Sequence, residues 1–552
     1  MNVADHTPPE VRRRWSDEGH YDDLDQYAAF RRQVTMRGDQ VAVVDGTSQV
    51  TYDELLIATH RLANMLVDAG VVAGDVVAVQ LPNRWECCAL DYAIAAIGAV
   101  CLPFPINYRE RELRELMGRS GAAAYVTIDG YRDYDSLGTI QHLLTELPHL
   151  RHVFALGGSG GTAWAGVHSV DEALAGGAPA DWVPTPIDPN LPCRIGVTSG
   201  TEAVPKMVVN SHNCTGKPYA TLWGACGIGP GSRVLLGSPL GSGMGQIVTS
   251  ALLARLGATV SVMDLFDATT ALRLTELVRP THWWLVPTMV QLMLADPVFP
   301  DTDISSVDYV ICAGSPVPAN LVRRLAHDHG VHCIPTYGFV DGGLCSARAD
   351  DPLDRRAETV GRPDPRVNEI RIVGPDGAVV PAGQPGEVCA RGPFSPLGYL
   401  RAPELNRLYR SDAEGWVRSG DLGVLDDDGY LRIVGRIKDV IVRGGMNISA
   451  AEVEEILTAH PHIVQAACVG YPDPVMGERM CAFLVLRTGS EPPTVRELAN
   501  YLSECGLMRN KAPERLEVIE AMPTNPTGKI LKRVLRDRLE SMTPAAPSNP
   551  VS

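Results

Sequence analysis

The chain has 552 residues, of which 45% are apolar and 21% charged, the composition of an ordinary globular protein. This length exceeds what one hydrophobic core supports, so two to four folding units are expected. The net charge of −16 excludes the broad positive field that a nucleic-acid partner requires. The thirteen cysteines contain no CxxC pair, which favours a reduced, cytoplasmic compartment and cysteines that serve as small core residues.

The first part of the chain alternates between helical and strand patterns. Thr51 and Glu54 form a capping box that opens an amphipathic helix. Residues 75–81 predict a strand, residues 85–97 a helix and residues 100–104 a second strand, which together make a βαβ unit. The alternation continues with strands at 233–236, 258–263, 283–286 and 309–313, and with helices after 246 and at 268–278. Strands separated by helices predict parallel sheets covered on both faces.

Two segments could be mistaken for membrane or export signals. The most apolar stretch, residues 87–106, is interrupted by Asp91, Gly98 and two prolines, so it predicts a buried helix and strand and no membrane span. The N-terminal basic residues are followed by no apolar stretch, so a secretory signal is not expected.

The pattern changes after about residue 365. Short strands between Gly and Pro turns, at 368–373, 387–391 and 430–434, indicate a β-rich subdomain of about 366–436. Beyond it, strands at 439–443, 464–471 and 480–487 alternate with helices capped at Ser449 and Thr494. The predicted fold class is therefore α/β: a large N-terminal domain of parallel α/β sheets (1–436, including the β-rich subdomain) and a small α+β C-terminal domain (437–543). The tail, 544–552, is expected to be disordered.

A loop rich in glycine and hydroxyl groups follows the apolar run at 195–197. It consists of Thr198, Ser199, Gly200, Thr201, Glu202, Ala203, Val204, Pro205 and Lys206. The backbone N–H groups and hydroxyls of such a loop can surround phosphate oxygens, and the lysine supplies a point charge. A Ser/Thr-rich surface turn is the alternative interpretation.

This loop resembles the TSGTTGxPK signature of the adenylate-forming superfamily, which includes acyl-CoA synthetases, aryl-CoA ligases, beetle luciferases and peptide-synthetase adenylation domains. Glu202 and Ala203 replace its central Thr-Gly. In the family the loop closes on the β- and γ-phosphates of ATP, so a carboxylate at 202 would face negative charge. Two unit charges about 4 Å apart repel by roughly 4 kcal/mol at an effective dielectric of about 20, or about a thousandfold in binding. Glu202 could instead turn to solvent or pair with a basic neighbour.

A second segment resembles the family's YGxTE motif, whose threonine contacts phosphate and whose glutamate helps to hold Mg²⁺. It reads Tyr337, Gly338, Phe339, Val340 and Asp341. Val340 cannot donate a hydrogen bond, and Asp341 has one methylene fewer than glutamate, which implies a weak magnesium site. Both departures fall on the triphosphate side.

Three further segments extend the resemblance to residue 529. In Ser-Gly-Asp-Leu, Asp421 is implied to accept hydrogen bonds from the ribose hydroxyls. In Gly-Arg-Ile-Lys-Asp, Arg436 would contact the nucleotide, and Lys438 would lie at the hinge about which a mobile C-terminal domain swings. In Gly444-Gly445-Met-Asn-Ile, the glycines would admit the pantetheine arm of the thiol.

The C-terminal lysine of the family corresponds to Lys529, which would orient carboxylate and phosphate for adenylate formation. The resemblance thus assigns catalysis to Lys529, Lys206 and Asp341. It also places an acyl pocket around Gly241, Ser242, Gly243, Met244, Ala313, Gly314 and Trp284. The small residues at 241–243 suggest an open pocket for a bulky, mostly apolar acid, although at least one of Trp283 and Trp284 is expected to be an ordinary core residue.

The resemblance implies an acid–thiol ligase that uses ATP, bound as acyl-AMP, with Mg²⁺ and coenzyme A. The acid and CoA would be its partners, and the altered loop would impair adenylation. One alternative is a ligase that only transfers the acyl group from an acyl-adenylate made by a separate adenylating enzyme. Another is a stand-alone enzyme that loads a carrier protein. A non-catalytic nucleotide-binding partner protein is disfavoured by the hinge and thiol-side residues.

Overall fold

The computed structural model describes residues 3–46, 48–157, 166–177, 184, 186–197, 205–410, 414–444, 446–487, 489–524 and 529–542. Its strands are β1 (Val41–Asp45), β2 (Ser48–Thr51), β3 (Val76–Gln80), β4 (Val100–Pro103), β5 (Ala124–Ile128), β6 (His152–Leu156), β7 (Val167–Ser169), β8 (Pro192–Val197), β9 (Met207–Ser211), β10 (Arg233–Leu236), β11 (Thr259–Val262), β12 (His282–Leu285), β13 (Tyr309–Cys312), β14 (His332–Phe339), β15 (Gly343–Ser346), β16 (Glu369–Val373), β17 (Gly386–Arg391), β18 (Gly398–Tyr399), β19 (Val417–Leu425), β20 (Leu431–Arg436), β21 (Val440–Arg443), β22 (Met446–Ser449), β23 (Ile463–Asp473), β24 (Gly477–Leu486) and β25 (Arg515–Val518).

The α-helices are α1 (Pro9–Asp17), α2 (Gln26–Arg37), α3 (Tyr52–Asp68), α4 (Trp85–Ala96), α5 (Glu110–Ser120), α6 (Ser136–Leu143), α7 (Val170–Ala175), α8 (His212–Thr215), α9 (Lys217–Ala225), α10 (Gly243–Ile247), α11 (Ala268–Val278), α12 (Pro287–Ala295), α13 (Ala319–His329), α14 (Leu353–Glu358), α15 (Pro403–Arg410), α16 (Ala450–Thr458), α17 (Val495–Glu504) and α18 (Lys532–Met542). A π-helical turn, Val248–Leu253, continues α10.

The predicted capping boxes are confirmed. The Thr51 side chain accepts a hydrogen bond from the Glu54 N–H at 3.2 Å, and the Glu54 carboxylate accepts from the Thr51 N–H at 2.8 Å. This reciprocal pair satisfies two backbone donors that a helix start otherwise leaves unpaired. Thr494 caps α17 in the same way. A Ser449 cap also starts α16, where the sequence predicts it.

Two eight-stranded sheets, largely parallel, form the main scaffold and confirm the α/β class. The first has the order β15-β14-β13-β12-β10-β11-β1-β2 and the second β18-β9-β8-β4-β3-β5-β6-β7. Antiparallel pairs occur at the edges of both sheets, where β2, β15, β9 and β18 lie. The alternation of strand and helix in the sequence produces the parallel pairs, because a parallel connection needs a crossover.

The largest apolar core collects side chains from both of these sheets. Val77 of the second sheet and Leu236 of the first belong to it, as does Trp284. The neighbouring Trp283 belongs to a separate core beneath α11 to α13, because successive strand residues face opposite sides. The prediction that at least one of the two tryptophans is an ordinary core residue is therefore confirmed for Trp283.

The C-terminal region is an α+β unit, as expected. Its sheet has the order β22-β21-β24-β23, with β25 parallel to β24. Helices α16 and α17 cover one face, where Val453 and Leu498 are buried, and α18 covers the other through Leu535. A separate four-stranded sheet has the order β16-β17-β19-β20.

The described chain falls into two compact units. The first runs up to Arg371 and includes Cys389–Ser419, and the second includes Ile372–Val388 and the chain from Gly420. The boundary expected near residue 436 stays a prediction. Among the described residues, every helix is too short or too polar to cross a bilayer. The thirteen cysteines all lie in the described chain; they form no disulfide, and eleven are buried.

Candidate active site

The predicted phosphate loop joins β8 to β9, whose ends meet where Val197 lies opposite Met207. Thr198, Ser199, Gly200, Thr201, Glu202 and Ala203 lie outside the described residues. Lys206 is described and is half-buried at the start of β9. The described residues therefore locate Val197, after which the loop begins, and Lys206, with which it ends.

The Tyr337–Asp341 segment forms the end of β14 and the turn into β15. Phe339 lies opposite Gly343, so Val340 and Asp341 occupy the tip of this hairpin. Tyr337 and Gly338 precede the tip in β14, where Gly338 is exposed. The structure thereby places Val340 and Asp341 at a chain reversal at the carboxyl end of a parallel strand, the edge where α/β proteins build their sites.

Val340 lies between the end of β8 and the first turn of α10. A Cβ built on Gly196 would lie 3.2 Å from Val340 Cγ1, and one built on Gly243 would lie 3.7 Å from Cγ2. The side chain therefore borders the strand that leads into the phosphate loop and also the predicted acyl segment. At this junction valine presents two methyl groups and no hydrogen-bond donor.

Asp341 is buried and its carboxylate is engaged on one oxygen. Oδ2 accepts a hydrogen bond from the Tyr399 hydroxyl at 2.8 Å and lies 3.5 Å from Lys206 Nζ. Arg410 donates to the Asp341 carbonyl at 2.6 Å. Oδ1 is buried and accepts no hydrogen bond from the described residues. Burial, and then the nearby Asp341 charge, raise the pKa of Tyr399, so its hydroxyl stays a donor.

Lys206 also packs against two aromatic rings. Its Nζ lies 4.0 Å from the ring centroid of Tyr409 and 5.6 Å from that of Tyr399. The sequence did not predict Tyr399, Tyr409 or Arg410 as site residues. No local pattern marks them, because they meet Asp341 and Lys206 only through tertiary packing.

The predicted acyl segment is built around α10. Ser242 caps this helix: its hydroxyl accepts from the Met244 N–H at 3.2 Å and donates to the Pro239 carbonyl at 2.6 Å. A Cβ at Gly241 would overlap the carbonyl oxygen of Phe104. Glycine at 241 therefore permits a close backbone approach and adds no open space. Of the two predicted pocket glycines in this segment, 241 and 243, Gly243 alone has room for a Cβ atom, and Val340 is its nearest neighbour.

The other predicted pocket residues, Trp284, Ala313 and Gly314, lie at the ends of β12 and β13. Trp284 is buried with its ring centroid 4.3 Å from that of Trp223, and the indole N–H of each finds no acceptor among the described residues. Ala313 and Gly314 follow β13, and Gly314 has a φ of 92°, which glycine adopts freely. Trp283, by contrast, donates its N–H to Thr275 at 3.1 Å on the other side of the sheet.

The second unit pairs two of the predicted nucleotide-binding residues, Asp421 and Arg436. Asp421 lies opposite Arg436 in the β19–β20 pair, and Arg436 Nε is 2.9 Å from Asp421 Oδ1. Asp421 is buried, whereas Arg436 is partly exposed. Glu387 accepts a hydrogen bond from the Gly420 N–H at 3.0 Å and so holds the part of β19 next to Asp421. The sequence did not predict Glu387 as part of this site.

Lys529 shares the electrostatic environment of this pair. Burial, and next the charge of Arg436, lower the pKa of the Lys529 ammonium to about 8, with Asp421 opposing the shift. A lysine with such a pKa titrates near neutral pH, which an exposed lysine does not. Perturbed lysines of this kind concentrate at functional sites.

The residues predicted for the hinge and the thiol side lie between β20 and β22. Lys438 is exposed in a short 3₁₀ turn, Ile437–Asp439. Gly444 has a φ of 56° at the turn from β21 to β22, and a Cβ there would lie 2.7 Å from Met476 Cε. Gly445 lies outside the described residues.

The comparisons with known proteins agree on one family. The model of the AMP-binding enzymes matches residues 30–400, and that of the AMP-binding enzyme C-terminal domain matches residues 452–529. The chain is 32% identical to the 2-hydroxy-7-methoxy-5-methyl-1-naphthoate–CoA ligase of Streptomyces carzinostaticus, covering 96% of each protein. It is 35% identical to triostin synthetase I of Streptomyces triostinicus, over 90% of this chain and 91% of the relative.

A solved structure extends the likeness to the fold. The anthranilate CoA ligase AuaEII, crystallised with anthranoyl-AMP, superposes with a TM-score of 0.85 at 24% identity, covering 96% of this chain and all of that one. The mixed α/β architecture with a large N-terminal and a smaller C-terminal region is thus a shared fold.

Proposed function

This chain belongs to the family of AMP-binding enzymes, and from that premise we propose that it is an acyl-CoA ligase that joins a carboxylic acid to coenzyme A through acyl-AMP. The observation that carries the proposal is the titratable Lys529 beside the Asp421–Arg436 pair. Within one unit, Asp421 supplies an acceptor for ribose hydroxyls and Arg436 supplies a fixed positive charge. Lys529 adds an ammonium group with a pKa of about 8.

In the first step, an acid carboxylate oxygen attacks the α-phosphorus of ATP, a P–O bond forms and pyrophosphate leaves. Asp421 orients the ribose by accepting hydrogen bonds, which an ionised carboxylate does with two oxygens. Lys529 and Arg436 place positive charge where negative charge develops, and such preorganised charge is a large term in catalysis. In the second step, the CoA sulfur, having lost its proton, attacks the acyl carbonyl and AMP leaves.

We propose further that adenylation is the weaker of the two half-reactions. Val340 offers methyl groups between the end of β8 and the start of α10, at the position where the family motif has a threonine hydroxyl. Asp341 Oδ2 is occupied by Tyr399 and Lys206. Glu202 and Ala203 in the loop add to this, because a carboxylate there opposes the triphosphate charge. The thiol-side and ribose-side residues carry no comparable change.

Magnesium is typical of ATP-consuming members of this family, and one feature of the site fits it. Asp341 Oδ1 is buried and without a hydrogen bond from the described residues, which suits one ligand position of a hard cation. The described residues contain no cluster of three or more His, Cys, Asp or Glu side chains that could hold a metal alone. Asp341 would therefore hold Mg²⁺ together with phosphate and water oxygens, and the bound ion would neutralise phosphate charge.

The acid is proposed to be bulky and mostly apolar. The paired rings of Trp223 and Trp284 lie near the ends of the strands that border the acyl segment. The resemblance to a naphthoate–CoA ligase supports an aromatic acid. Naphthoic, benzoic and medium-chain alkyl acids therefore form the panel to be tested.

The deciding experiment has two arms. In the first, the protein is incubated with each acid, ATP, Mg²⁺ and CoA; in the second, with synthetic acyl-adenylates and CoA. Thioester in both arms establishes a complete ligase. Thioester in the second arm alone establishes the alternative, a ligase that only transfers acyl groups supplied by another enzyme. A parallel reaction with a phosphopantetheinylated carrier protein replacing CoA tests the third possibility.

A matched pair of variants separates the role of Lys529 from general damage. Lys529→Ala should abolish thioester formation from free acid and preserve it from acyl-AMP. Lys217→Arg, whose parent side chain contacts the Gly19 carbonyl away from these residues, should leave both arms unchanged. If Lys529→Ala lost thioester formation equally in both arms, Lys529 would not have the proposed role in adenylation.

A further inference from the structure

Three side chains enclose the ammonium group of Lys206. The Asp341 carboxylate lies 3.5 Å away, the Tyr409 ring centroid 4.0 Å away and the Tyr399 ring centroid 5.6 Å away. The two tyrosine rings are inclined to each other at an interplanar angle of 62°, with their centroids 6.3 Å apart. We call Asp341, Tyr399 and Tyr409 the ammonium seat.

The seat is held in place from behind. The Tyr399 hydroxyl donates to the same Asp341 oxygen that faces Lys206, which fixes the orientation of the carboxylate. Arg410, which is buried, donates to the carbonyls of Asp341 and Pro396 and so ties the β14–β15 turn to the segment that carries the tyrosines. A charge held between a carboxylate and two aromatic faces loses part of its hydration but gains attraction to both.

The shape of the seat favours lysine over arginine. An ammonium is a compact charge on a flexible stem, whereas a guanidinium is planar and needs a bidentate partner. One Asp341 oxygen already accepts from Tyr399, so a bidentate pair with that carboxylate would require a different arrangement. The chain contains only six lysines against 43 arginines, yet position 206 carries lysine.

We propose that the ammonium seat positions Lys206 for the triphosphate, with Tyr409 as the positioning residue that sets where its charge is delivered. This inference rests on the proposed function, because it assigns Lys206 to the adenylation half-reaction. Tyr399 and Asp341 orient the seat, and Tyr409 supplies the aromatic face nearest to the ammonium.

The seat is tested without catalysis by reductive ¹³C-methylation of the lysines, which keeps their charge. Six lysines give a spectrum simple enough to assign with Lys206→Arg and Lys217→Arg. The Lys206 resonance should lie upfield of that of Lys217, because the Tyr409 ring current acts on it. Tyr409→Leu should move it toward the Lys217 position, and Tyr409→Phe should not. The proposal is wrong if the Lys206 resonance coincides with that of Lys217, or if its chemical shift does not change in Tyr409→Leu.

The kinetic test uses the same two variants. Tyr409→Leu should raise KM for ATP about tenfold in pyrophosphate release, in keeping with a partly desolvated cation–π contact, while Tyr409→Phe stays within about twofold. Thioester formation from acyl-AMP should be unchanged in both. Equal losses in the two half-reactions would show a merely structural role. Failure of the protein to ligate any acid would contradict the proposed function and leave the NMR result to decide on the seat.

Discussion

The pKa of Lys529 predicts an alkaline limit to adenylation that the thioester step does not share. With a pKa of about 8, Lys529 is about nine-tenths protonated at pH 7 and about one-tenth at pH 9. Because the ammonium form supplies the positive charge, kcat/KM for adenylation should fall about tenfold between pH 7 and pH 9, and about fivefold of that fall should come between pH 8 and pH 9. A lysine with an ordinary pKa near 10.5 would keep the rate flat over that range.

The assay follows pyrophosphate release from acid and ATP between pH 6.5 and 9.5 and reports kcat/KM, which reflects ionisations of the free enzyme. The parallel reaction of acyl-AMP with CoA should instead accelerate with pH, since the thiolate is the nucleophile. Opposite slopes in the two half-reactions therefore distinguish the lysine from a general loss of stability.

The matched variant is Lys529→Arg. A guanidinium remains charged throughout this range, so the variant should be slower at pH 7 but should lose the alkaline limb. A wild-type profile that stays flat to pH 9.5 would refute the reasoning. The same decline in Lys529→Arg as in the wild type would refute it equally.

Three further substitutions probe the remaining parts of the site. Val340→Thr should raise the rate of pyrophosphate release about tenfold without changing acyl-AMP transfer to CoA, because the new hydroxyl can donate to a charged phosphate. Asp421→Asn should raise KM for both ATP and acyl-AMP at least about tenfold, since the ribose loses a charged acceptor and Arg436 its partner. Gly444→Ala should raise KM for CoA and leave pyrophosphate release unchanged, because φ is 56° there and the added methyl would crowd Met476.

Local sequence patterns predicted the helix starts well where the hydrogen bonds that form the start lie within the pattern itself. The capping boxes at Thr51 and Thr494 start α3 and α17 as expected, because their hydrogen bonds depend only on residues three apart. The helix expected after residue 246 begins earlier, at Gly243, where glycine has a poor helix propensity. The Ser242 cap and burial in the core determine that start, and neither can be judged from propensity alone.

The site residues likewise divide into those that the sequence predicted and those that only tertiary packing brings together. The structure brings Asp421, Arg436 and Lys529 into one electrostatic neighbourhood, as their motifs imply. The small residue at 241 was interpreted as open space, but the Phe104 carbonyl occupies it, because a distant chain segment approaches there. Tyr409 could not be predicted either. It meets Lys206 from about two hundred residues away, and no spacing rule connects them.

The use of lysine bears on whether this protein makes its own adenylate. Arginine fills 43 of the 49 Lys and Arg positions, and three of the six lysines are Lys206, Lys438 and Lys529. A planar guanidinium would not fit the ammonium seat, so the lysines at 206 and 529 each answer a need for a compact charge. In the proposed function both needs belong to adenylation: Lys206 would act on the triphosphate and Lys529 on the carboxylate and α-phosphate. A protein that only transferred ready-made acyl groups would need neither, so these two lysines favour a complete ligase whose first half-reaction is slowed, and not lost, through Val340 and the altered loop.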